Sequence, residues 1–208
     1  MQAVLTALLV SMIQSPQQAA GCPDQPAARV EFVVLRGAIA VSDSLSLDEI
    51  RTLYAANGAQ TPHKPLGFYV STFYYRIETD TGEPTPCPGQ VNVRVNLVLD
   101  ARQIVLGREV MAVPCMRNAA ANHYRQHARA NVRAVTNLSE RLKTIMSDTN
   151  RIRALQQAGA SGPDIERLLR PILEGELPVF DAESRELQSA VDTISEIKKL
   201  EYACSTPI

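Results

Sequence analysis

Two histidines one helical turn apart, His123 and His127, have the spacing in this sequence that best suits chemistry. Side chains at positions i and i+4 of a helix point the same way, so two imidazoles can converge on one divalent metal ion. The pair therefore predicts a metal site, with zinc as the candidate ion. The competing interpretation is that both rings are hydrogen-bonded core residues that bind no metal.

The histidines lie in a stretch that composition strongly predicts to be a helix. Residues 115–146 contain no Gly or Pro and are rich in Ala, Arg and Leu. We expect the helix to begin near Pro114, to run to about Gln157 and to bend near Ser147. Residues at steps of three and four define its buried face: Met116, Ala120, His123, His127, Asn131, Ala134, Leu138, Leu142 and Ile145.

A zinc site needs a third protein ligand, and the sequence offers two candidates. Glu109 comes first, because it ends a segment that we expect to be a neighbouring strand. His63 comes second, in a predicted loop between Gln60 and Pro65. Both are also compatible with ordinary surface positions.

The spacing His-x-x-x-His is that of the zinc-peptidase motif His-Glu-x-x-His with Tyr124 in place of the glutamate. In that motif the glutamate acts as the general base. A phenol with an ordinary pKa of about 10 is a poor base at neutral pH, so the metal site is expected to survive without this chemistry. Tyr124 is then either a packing residue, which we favour, or a hydrogen-bond donor to a metal-bound group.

Composition sets the class of protein. The chain has 208 residues, 45% of them apolar, and a net charge of -1, which predicts one domain with a substantial core. It has no basic block, and its tyrosines and phenylalanines are not interleaved with arginine. These features argue against nucleic acid as a partner.

Residues 1–21 are typical of a secretion signal peptide. An apolar run of about eleven residues, AVLTALLVSMI, is followed by the small residues Ala19, Ala20 and Gly21 just before Cys22. Ordinary signal peptidase and the lipoprotein peptidase are both compatible with cleavage there, and the second would leave Cys22 acylated. Residues 22–208 are predicted to form a single domain that is helical from about residue 147. Membrane attachment is expected only if Cys22 is lipidated.

The cysteines predict an oxidising compartment. Mature protein would hold four, Cys22, Cys87, Cys115 and Cys204, which suits two disulfides in a periplasmic or secreted protein. The expected hairpin described next places Cys87 opposite Cys115 and so favours that bridge. Cys22 would then pair with Cys204.

The order of elements predicts an α+β fold, a small antiparallel sheet packed on a long central helix and C-terminal helices. β-branched residues over 30–41 indicate a strand, or a strand with a kink at Gly37. Ser46 with Glu49 forms a capping-box pattern for a short helix. Strands are expected over 67–79 and 91–99, with a turn at residues 100–102 that leads into a returning strand, QIVLGREVM. Separate helices are expected over 163–173 and 181–204.

The segment IVLGREVMAVPCMRNAAANHYRQH resembles a group of secreted bacterial zincin-like proteins of uncharacterised function. In these proteins a hairpin strand ends in Arg-Glu, a cysteine follows, and a helix then carries His-Glu-x-x-His. The matching positions are Arg108, Glu109, Cys115, His123 and His127, and Cys87 stands where the group often has its first cysteine. The resemblance covers the middle third of the chain and implies a zinc peptidase, from which this sequence departs at Tyr124.

The sequence favours an exported, disulfide-bonded protein with a degenerate zincin-like helix that acts as a binding or structural module. A metal-dependent hydrolase, with zinc on His123 and His127 and an acid such as Glu109 activating water, is the first alternative. The second is a lipid-anchored envelope protein that docks a partner through its helices. Whether that partner is an envelope protein or a peptide is left open.

Overall fold

The structure, a computed structural model, describes residues 28–56, 64–80, 91–148, 150, 151, 154, 162–202 and 204. The predicted signal peptide, Cys22, His63 and Cys87 lie outside these ranges. The strands are β1 (Ala28–Arg36), β2 (Ala40–Ser42), β3 (Gly67–Asp80) and β4 (Val91–Leu106). The helices are α1 (Leu47–Ala56), α2 (Arg108–Met111), α3 (Pro114–Met146), α4 (Gly162–Val191) and α5 (Ile194–Tyr202). The chain is an α+β protein, as predicted.

Strand β4 is the centre of the sheet. β3 pairs with it in antiparallel direction, from Gly67 opposite Leu106 to Asp80 opposite Asn92. β1 and β2 run parallel to successive halves of β4. Two of the three strand pairings among the described residues are therefore parallel, and the expectation of an antiparallel sheet is wrong. β2 and β4 are neighbours in the sheet but are separated along the chain by α1 and β3. A connection of this length allows the two strands to run parallel, whereas a tight turn would make them antiparallel.

The predicted hairpin at residues 100–102 is also wrong, because β4 continues through these residues to Leu106. Ser71 of β3 stands opposite both Ala101 and Arg102, which makes this point a β-bulge, and Ala101 has a φ of 47°. After Gly107 the chain forms helix α2 instead of extending the expected returning strand.

The bulge changes which side chains of β4 face the helices. One inserted residue shifts the alternation of a strand by one position. The core-facing residues are odd-numbered before the bulge and even-numbered after it: Val93, Val95, Leu97, Leu99, Ile104 and Leu106, each at most 2% exposed. The bulge thus keeps an unusually long strand packed on one helical layer.

Helix α3 covers this face of the sheet. Leu138 and Leu142 pack with the first half of β4 in one buried cluster, and Ala120 and Tyr124 pack with the second half in another. The buried face predicted from the periodicity is confirmed for six of its nine residues, and Met116, Asn131 and Ile145 are partly buried. α3 ends at Met146, before the expected Gln157, and Ser147 follows as its C-cap.

Helix α4 is continuous through Pro171 and Pro178, so the predicted break between residues 173 and 181 is wrong. The break lies instead between α4 and α5, after Val191. A proline inside a helix costs roughly 3 kcal/mol. Burial of a large apolar side chain stabilises the folded state by about 1.5–3 kcal/mol. One face of α4 buries four such side chains against α3 and the sheet: Ile165, Leu169, Leu173 and Phe180.

A polar network also joins α3 to α4. Arg141 forms ion pairs with Glu176 at 3.0 Å and with Glu183 at 2.7 Å, and Asn137 donates to Glu183. Burial alone would raise the pKa of Glu183, but the hydrogen bonds from Asn137 and Arg141 outweigh it, and the pKa is lowered from its ordinary value. None of the described helices has the length and apolar character needed to cross a membrane.

Candidate metal centre

The two histidines of α3 lie on its buried face. His123 is 4% exposed and His127 is 8% exposed. They stand between the two apolar clusters, and their Nε2 atoms are 3.2 Å apart. The prediction that both imidazoles point inward from one helical turn is confirmed.

A carboxylate that the sequence analysis did not single out completes the group. Asp192 follows the last residue of α4, and its Oδ1 lies 3.2 Å from His123 Nε2 and 3.0 Å from His127 Nε2. The three atoms form a nearly equilateral triangle. In a tetrahedral zinc site with bonds of about 2.0–2.1 Å, neighbouring ligand atoms are about 3.3 Å apart. His123, His127 and Asp192 are therefore close enough to hold one metal ion.

The orientation of the His127 ring is set by Gln188 of α4. The Gln188 amide Nε2 donates to the backbone carbonyl of His127 at 3.1 Å, and a carbonyl can only accept. The amide Oε1 must therefore face His127 Nδ1, 2.5 Å away, and Nδ1 must carry the hydrogen. A hydrogen bond of this kind fixes the tautomer of a metal-binding histidine and leaves Nε2 as the ligand atom.

Gln188 is itself held in place. Its Nε2 also donates to Asn131 Oδ1, one turn beyond His127 on α3. The Asn131 amide in turn donates to the hydroxyl of Ser71, the β3 residue opposite the bulge, at 2.9 Å. A chain of hydrogen bonds thus runs from the sheet through α3 and α4 to the ligand imidazole.

The contact between His127 Nε2 and Asp192 Oδ1 requires a proton or a cation between the two atoms. With a hydrogen on Nδ1, neutral His127 directs a lone pair from Nε2 toward a carboxylate oxygen, and two acceptors at this distance repel each other. Burial alone would raise the pKa of Asp192. When the imidazole Nε2 atoms carry protons, their hydrogen bonds and charge outweigh that effect and hold the pKa of Asp192 well below its usual range.

Tyr124 packs against both imidazoles. Its ring contacts His123 edge-on at 5.0 Å and stacks against His127 at 5.8 Å between centroids. Burial, with a smaller contribution from Tyr54, raises the pKa of the Tyr124 phenol. The hydroxyl therefore stays protonated at neutral pH and is unsuited to act as a base.

A cavity of about 110 Å³ adjoins the group. It is lined by Tyr54, Phe68, Tyr69, His123, Tyr124, His127, Gln188 and Asp192. The Asp192 side chain is 41% exposed, so the site communicates with solvent. The hydroxyl of Tyr54 donates to the backbone carbonyl of Gly67 at 3.2 Å. A Cβ at Gly67 would lie only 2.2 Å from the backbone oxygen of Val105. A glycine is required there for β3 to approach β4.

The structure does not bring the predicted third ligand to the histidines. Glu109 accepts a hydrogen bond from the backbone N–H of Leu47 at 3.0 Å, at the first residue of α1. A carboxylate at the N-terminus of a helix stabilises that helix, so Glu109 has a structural role at the start of α1. Arg108 forms an ion pair with Glu49 at 3.5 Å on the same surface. The second candidate, His63, lies outside the described residues.

The observed disulfide joins a different pair of cysteines from the expected one. Cys115, at the start of α3, is bonded to Cys204, just beyond α5. The prediction of a bridge between Cys87 and Cys115 is wrong, because it depended on a hairpin that does not form. The expected bridge between Cys22 and Cys204 is also wrong, because Cys204 is bonded to Cys115. α5 is thus tied to α3 at one end by a disulfide, and Asp192 precedes its other end.

A short motif could have located Asp192. Thr193 and Glu196 have capping-box spacing, and the Thr193 hydroxyl accepts from the backbone N–H of Glu196 at 3.3 Å. This pattern marks the start of a new helix at Ile194. It places Asp192 in a helix break, but it does not indicate that this break lies beside His123 and His127.

Comparisons with known proteins do not assign the chain to a family. No family model, curated protein or solved structure matches this chain.

Proposed function

We propose that this is an exported zinc-binding protein in which His123, His127 and Asp192 hold one Zn²⁺. In this proposal the ion joins α3 to the junction between α4 and α5, and the protein acts as a binding or structural module. The observation that supports it most strongly is the triangle of ligand atoms, at 3.0–3.2 Å, around a His127 whose tautomer is fixed by Gln188.

A metal ion accounts for this geometry better than protons do. One proton shared by two of the three atoms, His123 Nε2, His127 Nε2 and Asp192 Oδ1, makes one of the three contacts favourable and leaves the other contacts repulsive. Two protonated imidazoles would relieve both contacts to Asp192, but they would place like charges 3.2 Å apart in a buried site. A divalent cation satisfies all three atoms together, and zinc suits two imidazoles and one carboxylate.

The peptidase activity implied by the zincin-like resemblance is not part of this proposal. The glutamate position of the motif holds Tyr124, whose phenol burial keeps protonated. Within the described part of the chain, the group of possible ligands contains no acid besides Asp192. Because Asp192 is itself a proposed ligand, the group offers no separate acid in the position of the general base.

Export is supported by two features. The disulfide between Cys115 and Cys204 suits an oxidising compartment, either periplasmic or extracellular. Residues 1–21 carry the pattern of a signal peptide. Mass spectrometry of the mature N-terminus tests this part, and it also decides whether Cys22 is acylated.

Zinc titration of protein purified without an affinity tag tests the metal site. We expect one zinc per chain, and we expect Asp192→Asn to weaken binding at least about 100-fold, because a direct ligand counts for more than the 10–100-fold typical of supporting residues. Asp181→Asn, at an exposed position of α4, is the matched control and should leave the affinity unchanged. Failure to bind one zinc, or equal affinity in both variants, would refute the proposal.

A metal-dependent hydrolase is the second candidate, and the cavity beside the three ligands favours it. Three protein ligands leave one position of a four-coordinate zinc open, as in catalytic sites. Zinc-loaded wild-type protein and Tyr124→Glu should be compared on a peptide library. Cleavage by wild type would favour the hydrolase, and cleavage only by the variant would identify a peptidase scaffold that lacks its base.

A further inference from the structure

The cavity beside the candidate metal site has walls suited to a ligand that completes the coordination of the ion. All three proposed metal ligands line it, together with Tyr54, Phe68 and Tyr69 from α1 and β3. Among the described residues no fourth His, Cys, Asp or Glu joins the group. The described residues therefore leave the remaining position of a four-coordinate ion open to a molecule from outside the chain.

The charge of the site selects a monoanion. A divalent ion with the single carboxylate of Asp192 and two neutral imidazoles carries a net charge of +1. Among the described residues, the rest of the cavity lining consists of four aromatic side chains and one amide, with no lysine, arginine or further acid. An uncompensated charge beside apolar walls is costly, and a singly charged anion neutralises it. A doubly charged phosphate would leave a net negative charge.

Tyr69 lines the cavity and is a candidate hydrogen-bond donor for that anion. Arg102, in the bulge of β4, donates from Nε to the Tyr69 hydroxyl oxygen at 3.3 Å and from Nη1 to the Gly37 carbonyl at 3.0 Å. The Tyr69 oxygen is thus an acceptor for Arg102, and no described residue receives the phenol proton. Tyr54 differs, because its proton is already directed to the Gly67 carbonyl.

The size of the cavity limits the ligand. A volume of about 110 Å³ corresponds to roughly three or four water molecules at about 30 Å³ each. This space accommodates a carboxylate group with a short aliphatic substituent, which the walls of Phe68 and Tyr124 would cover.

We propose that the metal centre binds a small monocarboxylate in this cavity, with one carboxylate oxygen on the ion and Tyr69 donating to the other. The inference rests on the proposed metal site and gives that site a ligand class. The same chemistry is offered by a free short-chain acid and by the carboxyl terminus of a peptide.

Cobalt substitution tests the ligand and the metal site separately. The visible spectrum of Co²⁺ bound to the full-length mature protein reports its coordination, and propionate is titrated into this complex. We expect a saturable spectral change with a Kd below about 10 mM, a weak affinity suited to so small a ligand. A parallel titration with N-acetylalanine distinguishes the sources, since only a site open to peptide termini should respond to both acids.

Two tyrosine variants test the proposed donor. Tyr69→Phe should weaken propionate binding about tenfold, the effect expected for loss of a hydrogen bond to a charged group, without changing the Co²⁺ spectrum before titration. Tyr74→Phe is the control. Its hydroxyl also accepts from an arginine, Arg76, at 3.2 Å, but Tyr74 does not line the cavity, and we expect less than a twofold effect.

The outcomes separate the two proposals. A normal Co²⁺ spectrum that neither acid changes would overturn the carboxylate site and leave the metal site intact. Failure to bind Co²⁺ would overturn both. Carboxylate binding that is equally strong in wild type and Tyr69→Phe would overturn the role of Tyr69.

Discussion

Replacing Gln188 with leucine tests how the site is organised, because Gln188 touches a proposed ligand without being one. Its amide contacts His127 Nδ1, the His127 carbonyl and Asn131 Oδ1. Leucine has a similar volume but supports none of these contacts, so the His127 tautomer and ring orientation lose their constraint. Loss of such a supporting group costs about 10–100-fold in metal affinity, or about 1.4–2.8 kcal/mol.

Competition with a chromophoric chelator at fixed pH measures this loss. Gln126→Leu is the control, because Gln126 precedes His127 in sequence but directs its amide to Glu196, 3.5 Å away. Urea unfolding of both metal-free variants separates a general loss of stability from a loss of affinity. A change of less than threefold for Gln188→Leu, or the same change in both variants, would show that Gln188 does not organise the site.

Three further predictions concern stability. Replacing Cys115 and Cys204 together with serine should lower the free energy of unfolding by about 2–5 kcal/mol in urea titrations, because the bridge spans 89 residues; peptide mapping that lacks this linkage would refute the pairing. Leu138→Ala should cost about 2–5 kcal/mol, because the side chain is 1% exposed, whereas Leu168→Ala, at 37% exposed, should cost much less; similar unfolding midpoints would contradict the packing. Because folding lowers the pKa of Glu183, its contribution to stability is present above the unfolded value of about 4.3 and is lost as the pH falls through the folded value. Glu183→Gln should therefore reduce the loss of stability between pH 6 and about pH 3.5, and an unchanged difference would contradict this assignment.

The parts of the fold that local periodicity determines could be predicted from the sequence. The buried face of α3 follows from spacing within one helix, and the inward positions of His123 and His127 follow from it. The capping box of α1 is equally local, since Ser46 and Glu49 bond to each other's backbone N–H groups. Each of these features depends on residues fewer than five positions apart.

The features that were wrong depend on distant partners. Asp100, Ala101 and Arg102 suit both a turn and a bulge, and only the register with β3 decides between them. The disulfide prediction failed with the hairpin. Asp192 lies more than 60 residues from both histidines, so its role depends on how α4 packs along α3.

The proline positions in α4 show the same limit. Pro171 and Pro178 are strong local signals for a helix end, and the local signal favours separate helices. The apolar face of α4 outweighs it only because α3 and the sheet are present to cover Leu169 and Phe180. Whether the helix continues through the two prolines therefore depends on tertiary packing, which a local sequence pattern does not show.

A zinc-edge anomalous difference map from crystals of the zinc-loaded protein would locate the ion. We expect one strong peak about 2.0–2.2 Å from His123 Nε2, His127 Nε2 and Asp192 Oδ1. A zinc-loaded crystal with its peak elsewhere, or with no peak between these three side chains, would contradict the proposed metal site.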